Sequence, residues 1–353
     1  MSELCRHFGA CGGCLTQDMP PGAYHAAKKQ AVVDALQRNG FADPDVADIV
    51  SVPPFTRRRA VLKVARRKGE TAIGFHARQS HDIVDMRECR LLTAPLFRLV
   101  QNLRGLFNAI LNDGENAEAH VTETDTGFDI ALRWQRKSSP TLIAQLAPFA
   151  AKFGIARITA GKDVLISLAE PALAMGRARV VLPPHVFLQP TREGEAMLQQ
   201  HVRAMLKGAR RIADLFSGCG TFGLPLAERA HVHAVELEAV MVNALAAAAR
   251  GSQGLKPVTT ERRDLFKQPL EALELKPFDA VLMDPPRAGA LAQSRALAAS
   301  RIGLVAYVSC DSGSFARDAR ILVDAGFCMG TIYPIDQFLW SGHIELAASF
   351  VRG

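Results

Sequence analysis

Apolar residues recur at helical spacing through residues 24–39 (YHAAKKQAVVDALQRN) and stop at Gly40, which predicts a helix ended by glycine. From about residue 50 to 190 the period shortens. RAVLKVAR, ETAIGFHA, AHVTETDTGFDIALRWQ and KDVLISLAEPALAMGR read as strands and hairpins, broken by one helical stretch at 94–110. This predicts a mixed, mostly antiparallel α+β module. After Glu195 strand and helix alternate, the signature of βαβ units around a parallel sheet. Strands are expected at 211–216, 231–237, 257–262, 278–283 and 303–309, helices at 222–229, 238–249, 291–299 and 314–325, and a last apolar run, 343–351, closes the sheet. The predicted class is α/β, in three parts: a cysteine segment and helix (1–45), a central α+β domain (46–190) and a Rossmann-like domain (191–353).

Composition adds little: 353 residues, 48% hydrophobic and 22% charged, describe an ordinary globular chain long enough for two domains. No apolar run approaches a membrane span and no secretory signal pattern opens the chain, so a cytoplasmic protein without membrane contact is expected. In a reducing compartment the seven cysteines read as metal ligands, nucleophiles or core fillers rather than disulfides. The net charge of +7 favours a polyanionic partner. Its densest expression is SVPPFTRRRAVLKVARRKG (51–69), which carries Arg57, Arg58, Arg59, Lys63, Arg66, Arg67 and Lys68 with no acidic residue. Such a stripe suits phosphate contacts; a solvated hairpin face is the plainer reading.

RIADLFSGCGTFGLPLA runs a strand into a glycine turn and then a helix. Gly218 and Gly220 permit a sharp turn and close approach to a ligand, and the helix N-terminus offers free N–H groups. Glu236 ends the next strand, where a carboxylate accepts ribose hydroxyls; this serves NAD and S-adenosylmethionine equally. The fourth strand ends VLMDPPR, placing Asp284 at the carboxyl edge, and the fifth ends VSCD, delivering Cys310 to the same edge. Hydride transfer has no use for that thiol, whereas activation of a pyrimidine ring does: addition to carbon 6 makes carbon 5 nucleophilic toward a methyl donor, and a base then removes the carbon 5 proton. Glu345, in SGHIEL, is the candidate base, since burial would raise its proton affinity. Phe187 and Gln189, in VFLQP, are candidates to clamp the base. Asp264 reaches the adenine or caps a helix; His343 orients the base or caps a loop; Cys219 and Cys328 read as small apolar fillers.

DLFSGCGTF, DPPRAG, YVSCD and GHIE, in that order, resemble the RNA uracil-5-methyltransferases that use S-adenosylmethionine and a 4Fe-4S cluster. The resemblance runs from Cys5 to Glu345 and implies a class I methyltransferase domain. It makes Cys310 the nucleophile and Glu345 the proton acceptor, puts Gln189, Phe216, Thr221, Glu236 and Asp284 at cofactor-contacting positions, and places Phe187 and Gln189 in the segment that meets the target base. Many relatives have Asn at the place of Thr221 and SCNP where this chain reads SCDS. Cysteines that begin at residue 5 match the branch without an N-terminal β-barrel, which implies 23S ribosomal RNA as substrate, with transfer RNA the alternative and no obligate protein partner. An RNA cytosine-5-methyltransferase and a non-catalytic iron-sulfur RNA-binding protein are the competing readings.

Cys5, Cys11 and Cys14 form a C-x5-C-x2-C cluster, and Cys89 is the only further cysteine in the N-terminal half. Four thiolates hold either zinc or an iron-sulfur cluster. The resemblance implies the four-iron cluster, in a structural role.

Overall fold

A computed structural model describes residues 4–353; the first three residues of the 1–45 segment lie outside it. The predicted first helix is α1 (Pro21–Arg38), followed by a left-handed Gly40 and the two-residue strand β1 (Val50–Ser51). A seven-stranded sheet then forms from β2 (Arg59–Arg67), β3 (Glu70–His76), β4 (Ile83–Asp85), β5 (Asn116–Thr124), β6 (Gly127–Arg133), β7 (Ile155–Ala160) and β8 (Asp163–Ser167), in the order β4-β3-β2-β5-β6-β7-β8. Its pairs are antiparallel except β6 with β7. Helix α2 (Ala94–Ile110) covers one face, burying Leu96, Leu99, Leu103 and Phe107 against Leu62, Val64 and Ile73.

A second helix in this module, α3 (Pro140–Lys152), departs from the single helix expected. Ser139 caps it and Pro140 starts it, but its buried stripe is only Leu142, Leu146 and Ala150, and Pro148 interrupts the pattern. A hairpin of β9 (Ala172–Met175) and β10 (Ala178–Val181) leads to α4 (Arg192–Met205), capped by Thr191.

The remaining chain supplies β11 (Arg211–Leu215), α5 (Gly223–Leu226), β12 (His231–Glu236), α6 (Ala239–Gly251), β13 (Val258–Arg262), α7 (Ala272–Leu275), β14 (Ala280–Met283), α8 (Leu291–Ala299), β15 (Leu304–Ser309), α9 (Ser312–Asp324), β16 (Phe327–Met329), β17 (Tyr333–Asp336) and β18 (Glu345–Arg352). They build a nine-stranded sheet in the order β1-β17-β18-β15-β14-β11-β12-β13, with β16 also on β18. Strands β11 to β15 are parallel, while β18 runs antiparallel to β15 and β17. The strand order reverses at β11 and β14, which opens a crevice at their carboxyl ends.

The outer edge of this sheet comes from far upstream: β1 pairs in parallel with β17 through Val50 with Ile335 and Ser51 with Asp336. Helix α1 lies on the same side, with Val32 and Leu36 in one core with Phe315, Ala319 and Leu322 of α9. Among the described residues no helix is long and apolar enough to cross a membrane.

Candidate active site

The carboxyl ends of β11 to β15 and the start of β18 meet at this edge of the large sheet. After β11 the chain turns through Phe216, Gly218 and Gly220, all at positive φ (62°, 54° and 97°). Gly220 is required twice over, because a Cβ there would also lie 2.7 Å from the Leu224 side chain. The Gly218 N–H donates to Glu236 Oε2 (3.0 Å), and Oε1 of the same carboxylate accepts from the N–H groups of Leu237 (2.7 Å) and Glu238 (3.0 Å). Glu236 is thus pinned at the end of β12, facing the turn. Thr221 offers its carbonyl to Gln199 Nε2 at 2.8 Å. Among polar residues here, sequence reasoning passed over Asp214, a carboxylate inside β11. It is fully buried with no well-formed hydrogen bond to either oxygen, and burial, with the charge of Glu236 adding to it and the nearby Gly223 N–H opposing, pushes its acid up to about 7. The signal was an acidic residue within an apolar strand.

Asp264 closes the turn after β13. Its side chain accepts from the Phe266 N–H (3.1 Å) and pairs with Lys267 (3.2 Å), and its carbonyl accepts from the Lys267 and Gln268 N–H groups. Of the two roles expected for it, the helix cap does not appear, because no helix starts here and these bonds close a turn instead. The residue it positions is Phe266, half exposed beside Phe216 with ring centroids 5.6 Å apart, an aromatic wall that the sequence reading did not single out.

Asp284 follows β14. Burial, and then the charges of Glu345 and Asp214, raise its acid well above the usual carboxylate range. Cys310 follows β15, and Glu345 opens β18. The β15–β18 ladder ends with Ser309 opposite Leu346, so Cys310 and Glu345 are the next residues on the two strands. Burial raises Glu345 to about 7, against the pull of the Gln337 amide and of Arg287. The half-buried Cys310 thiol is pushed up to about 11 by burial, then by Glu345 and Asp284, with Arg287 opposing. The SCDS departure has a simple role: Asp311 caps α9 by accepting from the Ser314 N–H at 2.8 Å, as an asparagine would. His343 is exposed and its imidazole touches Arg287 (3.1 Å), so of its two expected roles neither is visible in its side-chain contacts.

The segment before α4 forms the opposite wall. Gln189 is buried, and its Oε1 accepts from Gln337 Nε2 at 2.6 Å, linking it to the residue beside Glu345. Phe187 is 62% exposed, with the Arg59 guanidinium over its ring at 4.9 Å. The basic stripe of 51–69 differs from the row of free cations expected. Arg58 is buried on Glu195 (2.6 Å) and the Gln189 carbonyl; Arg59 donates to the Leu188 carbonyl (2.7 Å); Lys63 pairs with Glu118; Arg66 donates to the Leu111 carbonyl. Arg58 and Arg59 fasten the central sheet to the segment before α4 and to α4 itself, Lys63 and Arg66 are tied within the central module, and Arg67 and Lys68, at the hairpin tip, are exposed.

Cys5, Cys11, Cys14 and Cys89 line one small cavity of about 30 Å³, walled by Phe75, Val84 and Met86. Burial, then the neighbouring cysteines, push Cys14 up to about 12; Cys11 and Cys89 are raised too, Cys89 to about 11. Of the two presumed fillers, Cys219 is buried, but Cys328 is exposed because β16 is a short outer strand.

No protein-family model matches the chain. It is 41% identical to an RNA methyltransferase of Rhizobium meliloti (strain 1021), over 99% of this chain and 85% of that protein. It is 33% identical to the 23S rRNA (uracil(1939)-C(5))-methyltransferase of Bordetella bronchiseptica, over 99% of this chain and 80% of that protein. Among solved structures, the Pyrococcus abyssi tRNA (uracil-54, C5)-methyltransferase in complex with S-adenosyl-L-homocysteine superimposes with a TM-score of 0.75 at 20% identity, covering 99% of this chain and 88% of that one.

Proposed function

The chain belongs to the S-adenosylmethionine-dependent RNA methyltransferase family, with its class I methyltransferase fold, and on that premise we propose that it methylates carbon 5 of a uracil in 23S ribosomal RNA. The observation that carries the reading is the placement of Cys310 and Glu345 side by side at the carboxyl edge, across from the glycine turn and Glu236. Cytosine methylation at carbon 5 would use the same thiol and the same proton acceptor, so the choice of uracil is supported by the relative whose stated substrate is a uracil of 23S rRNA.

The residues present fit the cofactor. The turn of Phe216, Gly218 and Gly220 leaves backbone N–H groups at a ligand-facing edge, Glu236 is oriented to accept ribose hydroxyls, and Phe216 with Phe266 forms an apolar wall for adenine. Bound S-adenosylmethionine supplies the electrophilic methyl and a positive charge. Phe187 and Gln189 hold the target base against Cys310. The thiol would pass its proton to solvent as sulfur bonds to carbon 6, and the ring electrons would flow to carbon 5, which would take the methyl as the sulfonium S–CH3 bond breaks and S-adenosylhomocysteine leaves. Glu345, ionised above about pH 7, then accepts the carbon 5 proton, and breakage of the carbon–sulfur bond restores the ring. Gln337 keeps the Glu345 carboxylate and Gln189 in one hydrogen-bonded unit.

We read Cys5, Cys11, Cys14 and Cys89, which share one cavity, as the thiolates that would hold a 4Fe-4S cluster. Buried thiols that raise one another's proton affinity need a cationic centre if they are to ionise together. Tetrahedral zinc at about 2.3 Å would draw the sulfurs within about 3.8 Å of one another. Four thiolates suit either centre, and among the described residues no three cysteine, histidine or carboxylate side chains are drawn together around a metal position, so the choice of the cluster rests on the family resemblance. Its role is to staple the N-terminal segment to β4 and the loop after it, since methyl transfer moves no electrons. The test is mass spectrometry of digested ribosomal and transfer RNA from a deletion strain: loss of one 5-methyluridine from 23S rRNA is expected, and an unchanged 23S profile overturns the reading.

A further inference from the structure

Glu345 enters the site from the loop 337–344, between β17 and β18, and this loop is held from outside the methyltransferase sheet. Lys28, on α1, is 7% exposed. Its ammonium donates to Asp336 Oδ1 (2.6 Å), where the chain leaves β17, and to the carbonyls of Phe338 (3.3 Å) and His343 (2.8 Å), the last only two residues before Glu345. An ammonium has three N–H groups, and all three are directed at this one loop. Tyr24, one turn earlier on α1, donates to Asp336 Oδ2 (2.5 Å) and accepts from the Trp340 N–H (2.8 Å) in the middle of the loop. The cysteine segment adds a sixth hydrogen bond, from the Leu15 N–H to the Trp340 carbonyl at 2.6 Å.

We propose that Lys28 is a positioning residue for the Glu345 carboxylate, fixing both ends of the loop that carries it. The inference rests on the uracil carbon 5 reading. Closing two antiparallel strands does not require a buried cation, and desolvating one is costly unless each of its partners is well placed. Here the partners are the entry and the exit of the segment that aims the base. A carboxylate displaced by about 1 Å from its proton loses on the order of a hundredfold in rate, while thiol addition and methyl transfer, which Glu345 does not perform, are left intact.

Two substrates separate these steps. A 23S rRNA transcript with 5-fluorouridine takes the Cys310 thiol and the methyl but offers no proton at carbon 5, so it accumulates as a covalent adduct. A transcript with tritium at carbon 5 reports proton removal as released tritium. In Lys28→Met, adduct formation and S-adenosylmethionine binding are expected within about threefold of wild type, with tritium release down about a hundredfold and largely restored in Lys28→Arg. Tritium release within about threefold of wild type in Lys28→Met, with normal cofactor binding, overturns the proposal. If Lys28→Met fails to bind cofactor, Tyr24→Phe, which keeps the ion pair, replaces it: a drop of about tenfold confined to tritium release supports the proposal, and no drop overturns it. A wild-type protein that forms no fluorinated adduct on any RNA sinks the parent reading instead, and this inference with it.

Discussion

Cys310 and Glu345 are the first residues beyond the last rung, Ser309 with Leu346, of the antiparallel β15–β18 ladder. Neighbouring strands bring the two backbones side by side, and the carboxylate is the largest charge contribution to the high proton affinity of the thiol. Cys310→Ala is therefore expected to bind S-adenosylmethionine normally while forming no adduct with fluorinated RNA and no 5-methyluridine. Calorimetry and gel-shift of the denatured adduct check the two halves, and measurable turnover in this variant would remove Cys310 from the mechanism.

Glu345→Gln separates activity from stability. As a base the carboxylate must be ionised, so the wild-type rate should rise with pH through about 7, and the amide should lower proton release by about 10²–10⁴-fold. Stability moves the other way. The folded-state value, about 7, lies above the usual 4.5, so the stability contributed by this group is complete below 4.5 and is lost as pH rises through 7. Against the wild type, the amide variant should gain up to about 3 kcal/mol between pH 5 and 8. Urea unfolding at the two pH values gives the number, and equal stability differences at both would refute the buried-charge assignment.

Glu236→Gln keeps the size of the side chain but replaces one acceptor oxygen by a donor, opposite N–H groups of Gly218, Leu237 and Glu238. Losing charge-assisted bonds costs about 1.5–3 kcal/mol, so cofactor affinity should fall about tenfold to a hundredfold. Titration calorimetry with S-adenosylhomocysteine measures it, and an unchanged affinity would move the ribose site elsewhere.

Cys89 is the only one of the four clustered cysteines on the central sheet side, so Cys89→Ser should release the cluster as a whole. Expected are loss of bound iron and of broad visible absorption, and proteolysis between Cys14 and α1 under conditions where the wild type resists. Zinc in place of iron in the colourless wild-type protein would overturn the cluster assignment.

The parts that sequence made legible are those encoded locally. The glycine turn, DPPR and VSCD each announce a strand end by its own residues, and register brings them to one edge. What stayed hidden depends on distant partners. Helix α3 was obscured by Pro148 and a narrow apolar stripe, and β17 by its brevity and a proline. Arg58 and Lys63 looked like free cations because Glu195 and Glu118, their partners, lie 137 and 55 residues away. Gln337 has no motif; its importance comes from meeting Gln189 across 148 residues. Asp214 could be found only as a charge in an otherwise apolar strand.

The pairing of β1 with β17 also sets a timetable. Ser51 and Asp336 are 285 residues apart, and at about 5–20 residues per second their synthesis is separated by roughly 15 s to a minute. Throughout that interval Val32 and Leu36 of α1 lack the α9 surface that buries them, and β1 has no neighbour. The early cysteines emerge long before the Trp340 carbonyl that anchors their segment. A ribosome paused ahead of residue 312 therefore carries α1 without the α9 surface that buries Val32 and Leu36, and residues 312–336 lock what residues 21–51 began.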